Sequence, residues 1–211
     1  MAKIKICGLT RLRDIEAVNA EKPDYIGFVF ADSRRKVTPK QAMELRGKLS
    51  HGIIPVGVFV DESIEHILSL IQGDVIDAVQ LHGTENEDYI KRLKQLTAKP
   101  IIKAISVQKA GDVQNWALTA ADYLLLDNKA GGSGQTFDWG LIGRTNKPYF
   151  LAGGLDVDNI TTAISQTSPY AVDISSGVET DGLKDPDKIK NFIRLVGRHD
   201  PAYLPGNLGG L

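Results

Sequence analysis

The chain has 211 residues, 42% hydrophobic and 24% charged, with a formal net charge of −1. That balance fits a globular fold of one large domain or two small ones, without the basic footprint of a nucleic-acid binder or a polybasic membrane patch. A single cysteine, Cys7, excludes an internal disulfide framework and a cysteine-rich zinc site, and the lack of a signal-like or membrane-length apolar run makes the cytoplasm the expected compartment.

Short apolar or β-branched runs alternate with helix-period segments. Strands are expected at Lys3–Cys7, Tyr25–Phe30, Pro55–Val60, Ala78–His82, Ile101–Ile105, Tyr123–Asp127, Tyr149–Ala152 and Ala171–Ser175. Their first residues lie 22, 30, 23, 23, 22, 26 and 22 apart, each step about one strand plus one crossover helix. Between them, five sets follow the helical stripe: Ala42, Leu45 and Leu49; Ile64, Ile67, Leu68 and Ile71; Tyr89, Leu93 and Leu96; Val113, Trp116, Ala117 and Ala120; and Ile189, Phe192, Ile193 and Val196. Thr38-Pro39 and Asp185-Pro186 each place a capping residue before a proline at the first helical position. Asp61 and Asp156 are expected to cap the third and seventh helices. Eight such units predict an α/β fold, a single-domain (β/α)8 TIM barrel over residues 1–197. The competing open doubly wound sheet usually has fewer strands at this length, and no dinucleotide G-x-G-x-x-G follows the first strand. Residues 198–211 hold two prolines, three glycines and no periodicity, and are expected to form a tail outside the barrel.

In such a barrel the chemistry sits where the strands end. Strand 1 ends in Cys7-Gly8, a thiol that is either a small buried hydrophobe or a base. Strand 2 runs into Arg34-Arg35-Lys36, which is either a solvated face or, through one arginine, a carboxylate clamp. Gln80 and His82 share one face of strand 4 and are candidate substrate contacts. On strand 6, alternation puts Tyr123, Leu125 and Asp127 on one face, with Asp127 at the tip. Asp173 lies within the apolar run of strand 8, where an unpaired carboxylate is costly, so it needs a partner or a role. Gly131–Gly134, Gly153–Gly154 and Ser175–Gly177 follow three successive strands. Together they match a phosphate site built by the late loops of a barrel, with backbone N–H groups and a short helix N-terminus as donors. The phosphate candidates are Gly132, Ser133, Gly134, Gly153, Gly154, Ser175, Ser176 and Gly177.

These residues also carry a resemblance. Lys5-Ile6-Cys7-Gly8, Gly27-Phe28-Val29-Phe30, Gly57-Val58-Phe59-Val60, Gln80-Leu81-His82-Gly83, Leu126-Asp127, Gly131–Gly134 with Phe137-Asp138-Trp139, Ala152-Gly153-Gly154-Leu155 and Asp173–Glu179 resemble the phosphoribosylanthranilate isomerase family. The likeness runs over about residues 3 to 196, with the motifs in family order. It implies an Amadori rearrangement in tryptophan biosynthesis, on a small phosphosugar, without cofactor or metal, by a monomer or homodimer. It further implies Cys7 as general base, Asp127 as general acid, Arg35 on the anthranilate carboxylate and the glycine loops on the phosphate. Gln80, His82 and Asp173 remain substrate-binding candidates, with Asp173 expected either to position a hydroxyl or to pair with Lys5.

The chemistry suits these residue types. Opening the ribose ring needs a carboxylic acid kept protonated by burial or by a nearby phosphate charge, and a base must then take the C2 proton. Three alternatives stay open at this point. The related isomerase of histidine biosynthesis carries an aspartate where Cys7 stands and a second phosphate site. A lyase would need a lysine at a strand tip, for which Lys103 is the candidate. A phosphosugar-sensing barrel would bind without turnover.

Overall fold

The computed structural model describes residues 2–128 and 136–197. Eight parallel strands, β1 (Lys3–Cys7), β2 (Tyr25–Val29), β3 (Ile54–Phe59), β4 (Ala78–Leu81), β5 (Ile101–Ser106), β6 (Tyr123–Asp127), β7 (Tyr149–Leu151) and β8 (Ala171–Ile174), pair in chain order. β8 returns onto β1 with Lys3 opposite Ala171 and Lys5 opposite Asp173, which closes the barrel. The strand bounds fall within a residue or so of those expected, because most runs are apolar on both faces, as a strand buried between barrel interior and helical shell requires.

Alternation sorts the two faces. Val56, Ala78, Ile102, Ala104, Leu125, Phe150 and Ala171 fill the interior, with Tyr25 and Tyr123 at its base. Ile4, Ile6, Val79, Leu81, Leu124, Leu126, Val172 and Ile174 face the shell, where the larger core lies. Asp127 and Asp173 are therefore inward residues at or near the strand tips.

The shell is formed by α1 (Leu12–Glu21), α2 (Pro39–Arg46), α3 (Ile64–Gln72), α4 (Glu87–Leu96), α5 (Ile160–Thr167) and α6 (Pro186–Gly197). Thr38 caps α2 by accepting from Gln41 N, and Pro39 stands at its first position. Asp185 accepts from the N–H groups of Asp187 and Lys188 at the start of α6. No helix among the described residues is long and apolar enough to cross a membrane.

Four expectations change. The stripe from Val113 to Ala120 forms only a 3₁₀ turn, Gln114–Trp116. Asp112 there folds back to accept from Gln108 and Lys109, and the next large apolar residue, Leu118, is 98% exposed, so no further turn has a face to bury. The crossover after β6 likewise ends in a 3₁₀ turn, Trp139–Ile142, capped by Asp138. On α4 the buried positions are Ile90 and Leu93, and Leu96 is exposed. Ser63 rather than Asp61 caps α3, while Asp61 accepts from Thr84 N and Oγ1 and ties the β3 tip to the β4 tip. A two-stranded hairpin, β9 (Glu179–Thr180) and β10 (Leu183–Lys184), adds to the eight units, turning at Asp181-Gly182 with both residues at positive φ.

Candidate active site

The inward residues at the tips meet in one cavity of about 330 Å³ at the C-terminal mouth of the barrel. Cys7, Arg35, Gln80, His82, Asp127 and Asp173 all line it, as do Gly153, Gly154, Ser175 and Ser176. Gly177 does not. It sits one residue further on, in a 3₁₀ turn of three residues (Ser176–Val178), packed against the Leu155 carbonyl. That single turn is too short to act as a helix dipole, so any anion here would rest on individual N–H groups. The N–H groups of Gly153 and Gly154 make no hydrogen bond to another described residue. Gly132, Ser133 and Gly134 lie outside the described residues.

Cys7 sits in a charged setting. Register places Lys5 beside Asp173, and the buried Lys5 Nζ meets Oδ1 of the half-buried Asp173 at 2.9 Å. Burial opposes the Lys5 ammonium. The charges of Asp173 and Cys7 and the hydrogen bond to Asp173 outweigh that and hold it above the usual lysine range. Burial pushes the Cys7 thiol up; Lys5 and Lys184 pull it down, and the Asp173 charge pushes it further up, for a net rise. Cys7 pairs with Gly27 across β1 and β2, and a Cβ on Gly27 would stand 2.6 Å from Cys7 Sγ. Only glycine leaves the thiol its place.

Asp127 projects into the cavity from β6. Its Oδ1 accepts from Asn128 N at 2.7 Å, and Oδ2 lies 3.5 Å from His82 Nε2, long for a hydrogen bond. Gln80 Nε2 stands 2.9 Å from His82 Nδ1. With the amide in this orientation its nitrogen donates and Nδ1 accepts. The other end of that amide, Gln80 Oε1, is buried with no hydrogen-bond partner among the described residues.

The sequence reading left Arg34 and Arg35 to be distinguished. Arg35 lines the cavity and Arg34 is exposed. Arg35 is itself gripped in a two-point pair, Nε to Glu179 Oε1 at 2.7 Å and Nη2 to Glu179 Oε2 at 2.8 Å. Its Nη1 makes no hydrogen bond to a described residue. Glu179 also takes the buried ammonium of Lys184 at 2.6 Å, and Lys184 donates on to the Ser175 carbonyl. The hydrogen bond to Glu179 raises Arg35 above its ordinary value despite burial. Glu179 is held below the carboxylate range, Arg35 and Lys184 outweighing its burial. Burial lowers Lys184 even against the Glu179 charge. Sequence reasoning gave no role to Glu179 or Lys184. The signal that would have found them is the Asp181-Gly182 turn, which folds Lys184 back beside Glu179.

Three comparisons bear on this arrangement. Residues 4–195 match the family model described as N-(5'-phosphoribosyl)anthranilate (PRA) isomerase. The chain belongs to the phosphoribosylanthranilate isomerase family. A relative from Endomicrobium trichonymphae named for that enzyme is 48% identical over 200 residues, covering 93% of this chain and 98% of its own. A crystal structure of a phosphoribosylanthranilate isomerase in complex with reduced 1-(o-carboxyphenylamino)-1-deoxyribulose 5-phosphate is 35% identical, with a TM-score of 0.81 over 93% of this chain and 99% of that one. A structure described as monomers generated from the dimeric enzyme of Thermotoga maritima is 36% identical, with the same TM-score and coverage. Among the described residues of this family member, no group of three or more His, Cys, Asp and Glu is placed to hold a metal ion.

Proposed function

We propose that the chain catalyses the Amadori rearrangement of N-(5'-phosphoribosyl)anthranilate to 1-(o-carboxyphenylamino)-1-deoxyribulose 5-phosphate, in tryptophan biosynthesis and in the cytoplasm, as a monomer or homodimer. The observation that carries this is the single cavity that holds a thiol from β1, a carboxyl group from β6 and a pre-oriented guanidinium from the loop after β2.

Asp127, as the carboxylic acid, gives its proton to the ribose ring oxygen. The bond from that oxygen to C1 breaks, and the anilino nitrogen lone pair forms the C1–N double bond of a Schiff base. Cys7, as thiolate, then takes the C2 proton. The electrons of that C–H bond become the C1–C2 double bond, and the nitrogen regains its lone pair. The enolamine loses its C2 hydroxyl proton and gains one at C1 to give the ketone. No net oxidation occurs, so proton transfers suffice.

Arg35 meets the anthranilate carboxylate through Nη1, while Glu179 fixes the guanidinium plane. Gln80 Oε1, the unpartnered acceptor, takes a substrate donor. Asp173 holds Lys5 beside Cys7 and turns its second oxygen to a sugar hydroxyl. The phosphate rests on the Gly153 and Gly154 amides and the Ser175–Ser176 side of the cavity.

The test is a fluorescence assay with the substrate formed in situ from anthranilate. Wild-type protein removes the substrate fluorescence. Asp127→Asn, the same size but unable to serve as the acid, lowers kcat by about 10²- to 10⁴-fold. A folded wild-type protein that leaves the fluorescence unchanged sinks the reading and turns attention to the histidine-pathway substrate.

A further inference from the structure

One ion pair is sealed from solvent outside the cavity. Lys103 lies on β5 between the inward Ile102 and Ala104, so it faces the shell. Its Nζ meets Glu85 Oε2 at 2.8 Å, with both side chains 2% exposed. The ammonium has three protons and three acceptors: Glu85, the Gly83 carbonyl at 2.7 Å and the Leu81 carbonyl at 3.4 Å. Glu85 in turn accepts from Gly83 N through Oε2 and from Asp61 N through Oε1, each at 2.9 Å. A cavity opens over the pair, but a lysine with every donor committed offers an incoming ligand nothing.

These bonds converge on the residues flanking His82. The pair takes the carbonyl before it and both the carbonyl and the N–H after it, while His82 N donates to the Phe59 carbonyl at 2.8 Å. A buried ion pair is a weak source of stability, and apolar residues of equal volume commonly replace one without loss. What this pair supplies is place. The long His82–Asp127 approach would be lost with a small shift of the β4 tip.

We propose that Lys103 and Glu85 are positioning residues that clamp the backbone around His82, so that the imidazole is held against Asp127, the proton donor. This rests on the isomerase reading, in which Asp127 is the acid. Gln80 fixes the ring from one side and the buried pair fixes its backbone from the other. The loops after β3 and β4 and a lysine on β5 thereby act together on one carboxyl group on β6.

The experiment is a double-mutant cycle in kcat. The neutral, similarly sized Lys103→Met/Glu85→Gln variant avoids leaving one charge buried alone. It is expected to lower kcat at least tenfold with KM within about twofold. His82→Ala, at a partly exposed position, is expected to do the same. Once His82 is alanine, adding the pair substitutions should change kcat less than twofold. Equal losses in the two backgrounds would overturn the proposal, as would wild-type kcat in a folded pair variant. Should the pair variant fail to fold, His82→Ala still decides, since wild-type kcat there leaves the clamp nothing to act through. Wild-type turnover is measured alongside. Its absence fails the reaction assignment and this proposal with it, whereas its presence with an unaffected His82→Ala fails the positioning proposal alone.

Discussion

Burial raises the Cys7 thiol, and two neighbours of opposite sign act on it as well, so the structure predicts the order in which removing them should act. Lys5 lowers the Cys7 thiol and Asp173 raises it, Lys5 being the stronger influence. An opposite charge in contact is worth about 1 to 3 pKa units, so about 10- to 1,000-fold in thiolate at a given pH. Lys5→Met should move the Cys7 titration to higher pH, and Asp173→Asn should move it below wild type. The double variant should fall between wild type and Lys5→Met. Stability should follow a different order. Lys5→Met leaves Asp173 unpaired at the floor of the cavity, where water can reach it, at a cost of about 1–3 kcal/mol, and the double variant should recover much of it. Cys7 is the chain's one cysteine, so the rate of iodoacetamide alkylation against pH reports this thiol alone. A Lys5→Met midpoint at or below wild type, or an Asp173→Asn midpoint above it, would refute the electrostatic account.

Arg35→Ala should raise KM by at least tenfold while Arg34→Ala leaves it near wild type, because only Arg35 reaches the cavity; steady-state kinetics with the reverse ranking would move the clamp to Arg34. Gly27→Ala puts a methyl 2.6 Å from Cys7 Sγ and 3.2 Å from the Cys7 Cα. Thermal unfolding should show about 1–3 kcal/mol of overpacking loss, and turnover should fall further than Tm implies. Glu179, held below the ordinary glutamate range, adds stability that is full above its unfolded value near 4.3 and disappears as pH falls through its folded value. The gap in unfolding free energy between wild type and Glu179→Gln should therefore narrow below about pH 4; denaturant titrations showing a constant gap would argue against the Arg35–Glu179–Lys184 network.

The barrel was legible because its signal is repeated. A strand buried on both faces reads as an apolar run, and eight such runs at near-constant spacing admit few folds. The site residues were legible through the same alternation. Once Leu125 is inward, so is Asp127; once Ala171 is inward, so is Asp173. What the sequence hid falls into two kinds. The 3₁₀ turn at Gln114–Trp116 failed as a predicted helix because only its start, Val113 and Trp116, has area to bury, the alanines that continue the period add little, and Leu118 is exposed. The partners of the site were hidden for another reason. Glu179 meets Arg35 across 144 residues and Lys103 meets Glu85 across 18, distances over which no periodicity carries information.

Those hidden contacts share a physical logic. Three charged groups at or beside the cavity are at least partly withdrawn from water, and each has a partner close by. Lys5 serves Asp173, Glu179 serves Arg35, and Lys184 serves Glu179. The partners come from neighbouring strands or from the short hairpin after β8, elements that register and loop geometry bring alongside. A carboxyl group meant to give up a proton and a thiol meant to accept one cannot both lie beside the same cation, since a cation favours ionisation of both. The barrel separates them. The lysines that bear on the thiol, Lys5 and Lys184, lie on β1 and β10, while among the described residues Asp127 on β6 meets the imidazole of His82 and the backbone N–H of Asn128. The closed sheet thus supplies more than a scaffold for loops. It brings a thiol and a carboxyl group into one small cavity, with two buried lysines bearing on the thiol and the imidazole of His82 and the backbone N–H of Asn128 beside the carboxyl group.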